Sequence, residues 1–361
     1  MKDISPFADG LRALIGVSPV LADKPLEVAL VINPRAGGFT NERRFGDAVQ
    51  AIQNALGSLA GFAARQKHYD WRLRYTEGPR HASQLAAEFL DEAAMKHGRS
   101  WLVMIASGDG TSHEFLDALS RAPAELRERF TVLRLPMGTG NDGSDGHSME
   151  ESLRRLGPDG RVATQPALRV IPNPQGPAAS AAPEGEWRSF NIASIGLDAF
   201  VTQQTNKLKA NLPGDFYKLW LDVASILYDR IYPSADMLIV AKDEKGTELA
   251  RYEGRFLLTA MGISGHRRYG ANKPILPDDD NVCAIRQMPL LRKLALKGPI
   301  AKGGHRKFPE ALLFSASELD IQYGAEILVQ MDGEAHPLCA ADFPLRIART
   351  EPLVRYLGLR G

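Results

Sequence analysis

Between residues 27 and 135 short apolar runs alternate with longer amphipathic stretches, and this alternation constrains the fold more than any other feature of the chain. Glu27 to Asn33 (EVALVIN), Asp70 to Thr76 (DWRLRYT), Trp101 to Ala106 (WLVMIA) and Thr131 to Leu135 (TVLRL) read as strands. The intervening segments Asn41 to Leu59, Arg80 to His97 and Ser112 to Leu119 read as helices, the second with Leu85, Phe89 and Ala93 on one face. Trp101 to Ala106 is apolar at every position, as a strand covered on both faces must be. Strands separated by helices predict βαβ units and a parallel sheet.

After about residue 160 the pattern changes. Pro172 to Glu186 is rich in Pro, Ala, Ser and Gly and has no core-forming period, so it reads as an exposed loop. Beyond it, six segments read as strands: Trp187 to Ile195, Ala235 to Ala241, Leu249 to Met261, Asn281 to Arg286, Leu312 to Gln322 and Ala325 to Met331. This predicts an antiparallel, sandwich-like second domain. One segment differs: Asp215 to Ile231 places Phe216, Leu219, Trp220, Val223, Ile226 and Leu227 at helical spacing.

Composition removes several classes. A chain of 361 residues with 44% hydrophobic and 24% charged residues is neither disordered nor collagen-like, and it is long enough for two domains. Two cysteines, Cys283 and Cys339, are too few for a disulfide framework and fit a reducing, cytoplasmic compartment. Lys and Arg number 44 against 43 Asp and Glu, which argues against a nucleic-acid partner. No run reaches the roughly 18 apolar residues of a membrane span. Leu11 to Ala22 is short, contains Pro19 and lacks a basic leader, so a secretory signal is not expected.

Three glycine-rich turns each follow a predicted strand: Asn33-Pro34-Arg35-Ala36-Gly37-Gly38, Gly108-Asp109-Gly110-Thr111 and Gly138-Thr139-Gly140-Asn141-Asp142. In an open parallel sheet ligands bind at the carboxyl ends of the strands, so these turns are expected to converge on one edge. Glycine lets the backbone approach a phosphate, and the N–H groups serve as anion donors. Arg35 could pair with a triphosphate, and it reads equally well as a solvated loop arginine. The chain has no G-x-x-x-x-G-K-[ST] and no protein-kinase motif set, which sets aside P-loop enzymes and protein kinases.

These motifs resemble the diacylglycerol kinase catalytic-domain superfamily, which includes bacterial lipid kinases, sphingosine and ceramide kinases and, more distantly, NAD kinases. NPRAGG, SGDGT and PMGTGND resemble its three nucleotide loops; YTEGPRHASQLA, FNIASIGLDAFV, MGISGHRRYGANKPILP and MDGE resemble later stretches, covering about residues 25 to 350. The resemblance implies a Rossmann-like α/β nucleotide domain followed by an antiparallel β-sandwich domain, here residues 1–160 and 161–344, with the tail 345–361 returning to the first. It implies that Asn33, Gly37, Thr76, Gly108, Gly110, Thr111 and Thr139 bind ATP, with Gly38, Gly138 and Asn141 in the same loops, and that Asp109 belongs to the catalytic centre.

Phosphoryl transfer requires Mg²⁺ to neutralise the β- and γ-phosphates, and hard oxygen ligands suit it. Asp109 and Asp142 are the candidates, with Asp142 also readable as a loop brace or helix cap. The acceptor hydroxyl needs a proton acceptor, and the resemblance points to Asp332 or Glu334 in MDGE, where Asp-Gly between two strands is also a hairpin signal. Family members can bind a structural metal at an Asp-Asp-Gly turn. Asp280 is the matching ligand, but Asn281 stands where the family has Gly. Ser107 likewise replaces the usual first glycine of the second loop. The Gly- and Ser-rich GNDGSDGHS delays the next helix to about Ser148.

The expected activity is therefore ATP- and Mg²⁺-dependent phosphorylation of a diacylglycerol-like or sphingoid lipid, in phospholipid metabolism. A NAD or other soluble polyol kinase, or a degenerate nucleotide sensor, are the alternatives. Leu290 to Lys307 carries six Lys or Arg and no acid, which reads either as a solvated face or as a peripheral contact with the inner membrane surface. Oligomeric state is open, a homodimer included.

Overall fold

The structure is a computed structural model that describes residues 3–20, 25–60, 69–138, 140–143, 145–146, 148–211, 228–232, 235–269 and 273–360. The chain divides into two compact units, residues 1–165 with 352–361, and residues 166–351.

The first unit runs α1 (Ser5–Val17), β1 (Leu26–Ile32), α2 (Gly37–Thr40), α3 (Glu42–Leu59), β2 (Tyr69–Tyr75), α4 (His81–Met95), β3 (Ser100–Ser107), α5 (Asp109–Ser120), α6 (Ala124–Arg127), β4 (Phe130–Pro136), α7 (Met149–Arg154) and β5 (Gly160–Gln165), and is completed by β20 (Val354–Leu359). Its sheet has the order β2-β1-β3-β4-β20-β5, parallel from β2 to β20 and antiparallel at β5. One face packs Leu30, Ile32, Met104 and Leu135 against Leu11 of α1 and Ile52 of α3. On the other, Trp101 stacks between Phe89 and Phe130 at ring distances of 5.4 and 5.3 Å. Burial on both faces is why β1, β3 and β4 lack a polar alternation. Glu27 is the charged exception within β1, wholly buried and held by Arg99 at 2.7 Å, Arg72 at 3.0 Å and Lys96 at 3.3 Å.

The second unit contains β6 (Leu168–Ile171), α8 (Pro177–Ala181), β7 (Trp187–Ser189), β8 (Ile192–Gly196), α9 (Leu197–Asn211), β9 (Met237–Lys242), β10 (Glu248–Gly254), β11 (Phe256–Gly262), β12 (Arg267–Tyr269), β13 (Lys273–Leu276), β14 (Val282–Arg286), α10 (Leu290–Ala301), β15 (Ala311–Phe314), β16 (Glu318–Tyr323), β17 (Ile327–Met331), β18 (Glu334–Leu338) and β19 (Leu345–Arg349). Two antiparallel six-stranded sheets, β10-β9-β16-β19-β6-β7 and β15-β14-β11-β8-β17-β18, share a core that includes Ile239, Ile321 and Ile347 from one and Ile195, Ala284 and Val329 from the other. The first sheet alternates, with β9 and β16 buried at every second residue. The second is covered again on its far face by Phe200 of α9 and Leu296 of α10, so β8, β11 and β17 are buried throughout.

The expected α/β-plus-sandwich architecture is what the chain adopts, with local differences. Three stretches that read as single strands each break into two strands in different sheets: β7 and β8, β10 and β11, β15 and β16. Periodicity registers extended chain but not the corner where it leaves one sheet for the other. Residues 172–186 are not simply an exposed loop. They include α8, and Ala178 and Ala182 enter the sandwich core while Ala178 N–H donates to Asp342 at 2.8 Å. β19 pairs with β16 and β6 in the second unit, so the segment that joins the first sheet is β20. Most of the helical stretch Asp215 to Ile231 lies outside the described residues.

Candidate active site

The register that aligns Ile32 with Ala106 and Ala106 with Leu135 brings the ends of β1, β3 and β4 to one edge of the sheet. The first and second loops are joined there by Asn33 Nδ2, which donates to Thr111 Oγ1 at 3.0 Å. Asn33 Oδ1 accepts from Arg35 N–H at 3.0 Å, so the same side chain also shapes its own turn. The first and third loops are joined by Gly38 N–H, which donates to the Met137 carbonyl at 2.7 Å, and by Arg44 Nη2 on the Gly138 carbonyl at 2.5 Å. The second and third loops touch backbone to backbone. A Cβ placed on Gly138 would lie 2.4 Å from Gly108 Cα, so only glycine allows this approach. Thr76 is buried at the end of β2, its N–H on the Ile32 carbonyl at 2.8 Å, and Arg35 is exposed.

Helix α5 begins at Asp109, three residues before the apolar pattern suggests, with Gly108 as its extended N-cap. The GDGT turn is therefore the first turn of a helix. The first-turn N–H groups of a helix have no intrahelical acceptor, and with the positive end of the helix dipole they suit an anionic ligand. Ser107 keeps a negative φ, so a glycine is not required there; its hydroxyl lies 3.2 Å from that of Ser112.

The Asp109 carboxylate accepts from the N–H groups of Asp142 at 3.3 Å and Gly143 at 2.9 Å. Asp109 Oδ2 and Asp142 Oδ2 both flank Gly140, each 3.2 Å from where a Cβ would be. Asn141 has a left-handed φ of 59°, and its Oδ1 is buried with no hydrogen-bond donor among the described residues. Two residues that the sequence reading passed over hold this loop. Arg134 in β4 pairs with Asp145 through Nη2 at 2.7 Å and Nε at 3.0 Å, with side-chain exposures of 6% and 2%. An arginine within the apolar run TVLRLP was the available signal. Ser148 caps α7 by accepting from Glu151 N–H at 3.1 Å, matching the late helix start. Thr139 lies outside the described residues.

In the second unit, Asp332 and Gly333 form the tight turn of the β17–β18 hairpin, with φ of 49° and 100°, the left-handed pair of a type I′ turn. The Asp332 carboxylate accepts four hydrogen bonds, from Ser189 Oγ at 2.6 Å and the N–H groups of Phe190 at 2.5 Å, Asn191 at 3.0 Å and Ile192 at 3.1 Å. It thereby ties the hairpin to the corner between β7 and β8. Glu334 is exposed at the start of β18. Beneath the turn runs a buried polar chain: Gly333 N–H to Gln330 Oε1 at 3.0 Å, Gln330 Nε2 to Ser194 Oγ at 2.8 Å, and Ser194 Oγ to Asp198 Oδ2 at 2.6 Å. The acidic turn does not converge. Asp278 pairs with Arg306, Asp279 with His266 at 3.0 Å, and Asp280 accepts from Ser315 Oγ at 2.9 Å. Asn281 bonds the Ala316 backbone through both ends of its amide, at 2.9 Å each. Among the described residues no group of three or more His, Cys, Asp or Glu could hold a metal ion.

A family model described as the diacylglycerol kinase catalytic domain matches residues 27–156, which hold all three loops. That match assigns the segment. Residues 27–156 match the diacylglycerol kinase catalytic domain. A crystal structure of a diacylglycerol kinase from Bacillus anthracis str. Sterne is similar in fold at TM-score 0.55 and 16% identity, covering 91% of this chain and 96% of that one. Two further structures from the same strain, 16% and 18% identical, overlay at TM-score 0.56 with the same coverage. No curated protein matches the sequence. The first unit brings together Asn33, Gly38, Gly108, Asp109, Thr111, Gly138 and Asp142, while Asp280, Asp332 and Glu334 belong to the second unit. Among the described residues no helix is long and apolar enough to cross a membrane.

Proposed function

We propose that this protein is an ATP- and Mg²⁺-dependent lipid kinase that phosphorylates a hydroxyl of a diacylglycerol-like or sphingoid lipid at the cytoplasmic face of a membrane. The observation that carries the reading is the convergence of three glycine loops, the third holding the Asp109 carboxylate of the second, in a segment that matches the diacylglycerol kinase catalytic domain. The residues present fit a nucleotide and its ion. The Gly108–Gly138 contact keeps side chains out of the place a phosphate would take, the first turn of α5 offers N–H donors, and the buried Asn141 Oδ1 has an unmet acceptor.

In this reading Asn33, Gly37, Gly38, Thr76, Gly108, Gly110, Thr111, Gly138, Thr139 and Asn141 line the nucleotide, with Arg35 near its phosphates. Asp109 and Asp142 would hold Mg²⁺, which when bound neutralises phosphate charge as the γ-phosphoryl group transfers. Asp109 is fixed by two backbone N–H bonds before any ligand arrives, so its placement costs little reorganisation. Glu334 is assigned the acceptor proton. Asp332 is a positioning residue, since its carboxylate is already committed to four donors and holds the turn that carries Glu334.

The test is ADP release on a panel of lipids in detergent micelles. Wild-type protein should turn over at least one lipid, and Asp109→Ala should lower turnover by about 10²–10³-fold. Unchanged turnover in Asp109→Ala would sink the mechanism. Stimulation by NAD without lipid would replace the acceptor, and ATP binding with no turnover on any lipid would mark a sensor.

A further inference from the structure

We infer that the outward face of α10 docks the protein on an anionic lipid bilayer. The inference deepens the lipid-kinase reading and rests on it for its purpose, though the observations behind it come from the helix itself. One side of α10 is spent on the second unit. Leu296 is buried in the core with Cys283 and Ile285, and Ile300 packs against it. Arg292 lies 5.1 Å over the Phe308 ring and pairs with Glu310 at 2.7 Å, and Lys293 pairs with Asp229 at 2.5 Å. Helical spacing turns Leu290, Leu291, Leu294, Ala295, Gly298 and Ala301 to the other side.

A surface helix ordinarily carries charge on its outer face. Here Leu290, Leu291 and Leu294 are 44%, 82% and 50% exposed. Few large apolar side chains are exposed among the described residues; three of them are these leucines, and a fourth, Ile231, lies two residues from the Asp229 that Lys293 holds. The flanks are cationic. Residues 290–307 contain no acid, and Lys302 and Lys307 are exposed with no ion pair among the described residues. Leucines edged by lysines match a bilayer whose acyl boundary takes the former and whose anionic headgroups take the latter. The same edge disfavours a second copy of the chain, because face-to-face pairing would bring like charges together.

The experiment is flotation of the full chain with vesicles of phosphatidylcholine alone or mixed with phosphatidylglycerol. Wild type should float with the mixed vesicles, less so as salt is raised. Leu291→Glu with Leu294→Glu should reduce the bound fraction about tenfold, and Lys302→Glu with Lys307→Glu should weaken binding to the mixed vesicles only. Leu291→Ser serves as a milder second variant, and an unchanged melting temperature certifies that each variant folds. The inference is overturned if wild type ignores both vesicles, if the leucine variants float as wild type does, or if those variants convert a dimer to a monomer with flotation unchanged. Turnover in detergent micelles separates the two readings. A protein that floats through its leucines but phosphorylates no lipid keeps the docking face and loses the kinase reading, and one that phosphorylates micellar lipid but never floats does the reverse.

Discussion

Gly138 is where the second and third nucleotide loops touch, and Gly138→Ala tests that contact directly. The added Cβ would meet Gly108 Cα at 2.4 Å, about 1 Å inside the 3.4 Å at which ordinary contact begins, and Asn141 Oδ1 at 2.9 Å. The nearer neighbour is backbone, so no side chain can swing aside and the loops must part by roughly that ångström. Overpacking of this kind costs about 1–3 kcal/mol of stability. The same displacement would carry the Asp142 N–H, already 3.3 Å from Asp109, out of hydrogen-bond range. Misplacement of a reacting group by about 1 Å costs about 10²-fold in rate. The measurements are ATP titration calorimetry, ADP release on micellar lipid and thermal unfolding, with Gly46→Ala as control. Gly46 lies within α3, and a Cβ there meets nothing within 4 Å, so alanine should stabilise by about 0.5–1 kcal/mol. A Gly138→Ala protein with wild-type melting and wild-type ATP affinity would refute the contact. Lowered melting with unchanged ATP binding would keep the contact and remove the nucleotide from it.

Three further outcomes follow from buried charge. Arg134→Met leaves the Asp145 carboxylate buried and unpaired, and urea unfolding should show a loss of about 3–5 kcal/mol, much of it recovered when Asp145→Leu is added. Asp332→Asn tolerates the left-handed φ but takes a charged acceptor from four donors, so stability should fall by about 1.5–3 kcal/mol, whereas Glu334→Gln should lower turnover and leave the melting temperature unchanged. Burial holds the His305 imidazole below its ordinary value, against the opposing pull of its bond to the Ile275 carbonyl and of nearby Asp278. The unfolded chain therefore takes up a proton below about pH 6.5, and the folded chain does so only at a lower pH. Stability is unaffected above that pH and falls as pH drops below it, by at most about 1.4 kcal/mol per unit, and His305→Gln should flatten the slope in urea unfolding.

How far the sequence carries the reader depends on what each residue's signal is made of. Strands buried on both faces announce themselves, and WLVMIA could be nothing else once helices flank it. The loop residues were legible because glycine, asparagine and aspartate after a strand have few structural reasons to recur. The corners of the sandwich were not legible. Phe190 and Asn191 sit between β7 and β8 with no proline or glycine to mark them, and their hydrogen bonds go to Asp332, far along the chain. Arg134 was hidden for a similar reason. A charge within an apolar strand is satisfied by a partner whose position only the folded loop reveals, and Asp145 looked like one more polar residue in GSDGHS.

The same principle separates the carboxylates that sequence alone had to treat alike. A carboxylate has about four lone-pair sites, and what already occupies them decides what it can do. Asp332 fills four with donors from one corner of its own unit, which makes it an anchor. Asp145 accepts three hydrogen bonds from Arg134, two from its guanidinium and one from its backbone N–H, so a counter-charge already occupies it. Asp280 takes the Ser315 hydroxyl while its two acidic neighbours face a histidine and an arginine, so the three never assemble. Asp109 differs in kind. Two consecutive backbone N–H groups orient its carboxylate, at the start of a helix and across from Asp142 at Gly140. A carboxylate oriented at a helix start and facing a second carboxylate is placed for a cation that arrives with its ligand, and this placement selects Asp109 on geometry rather than on motif.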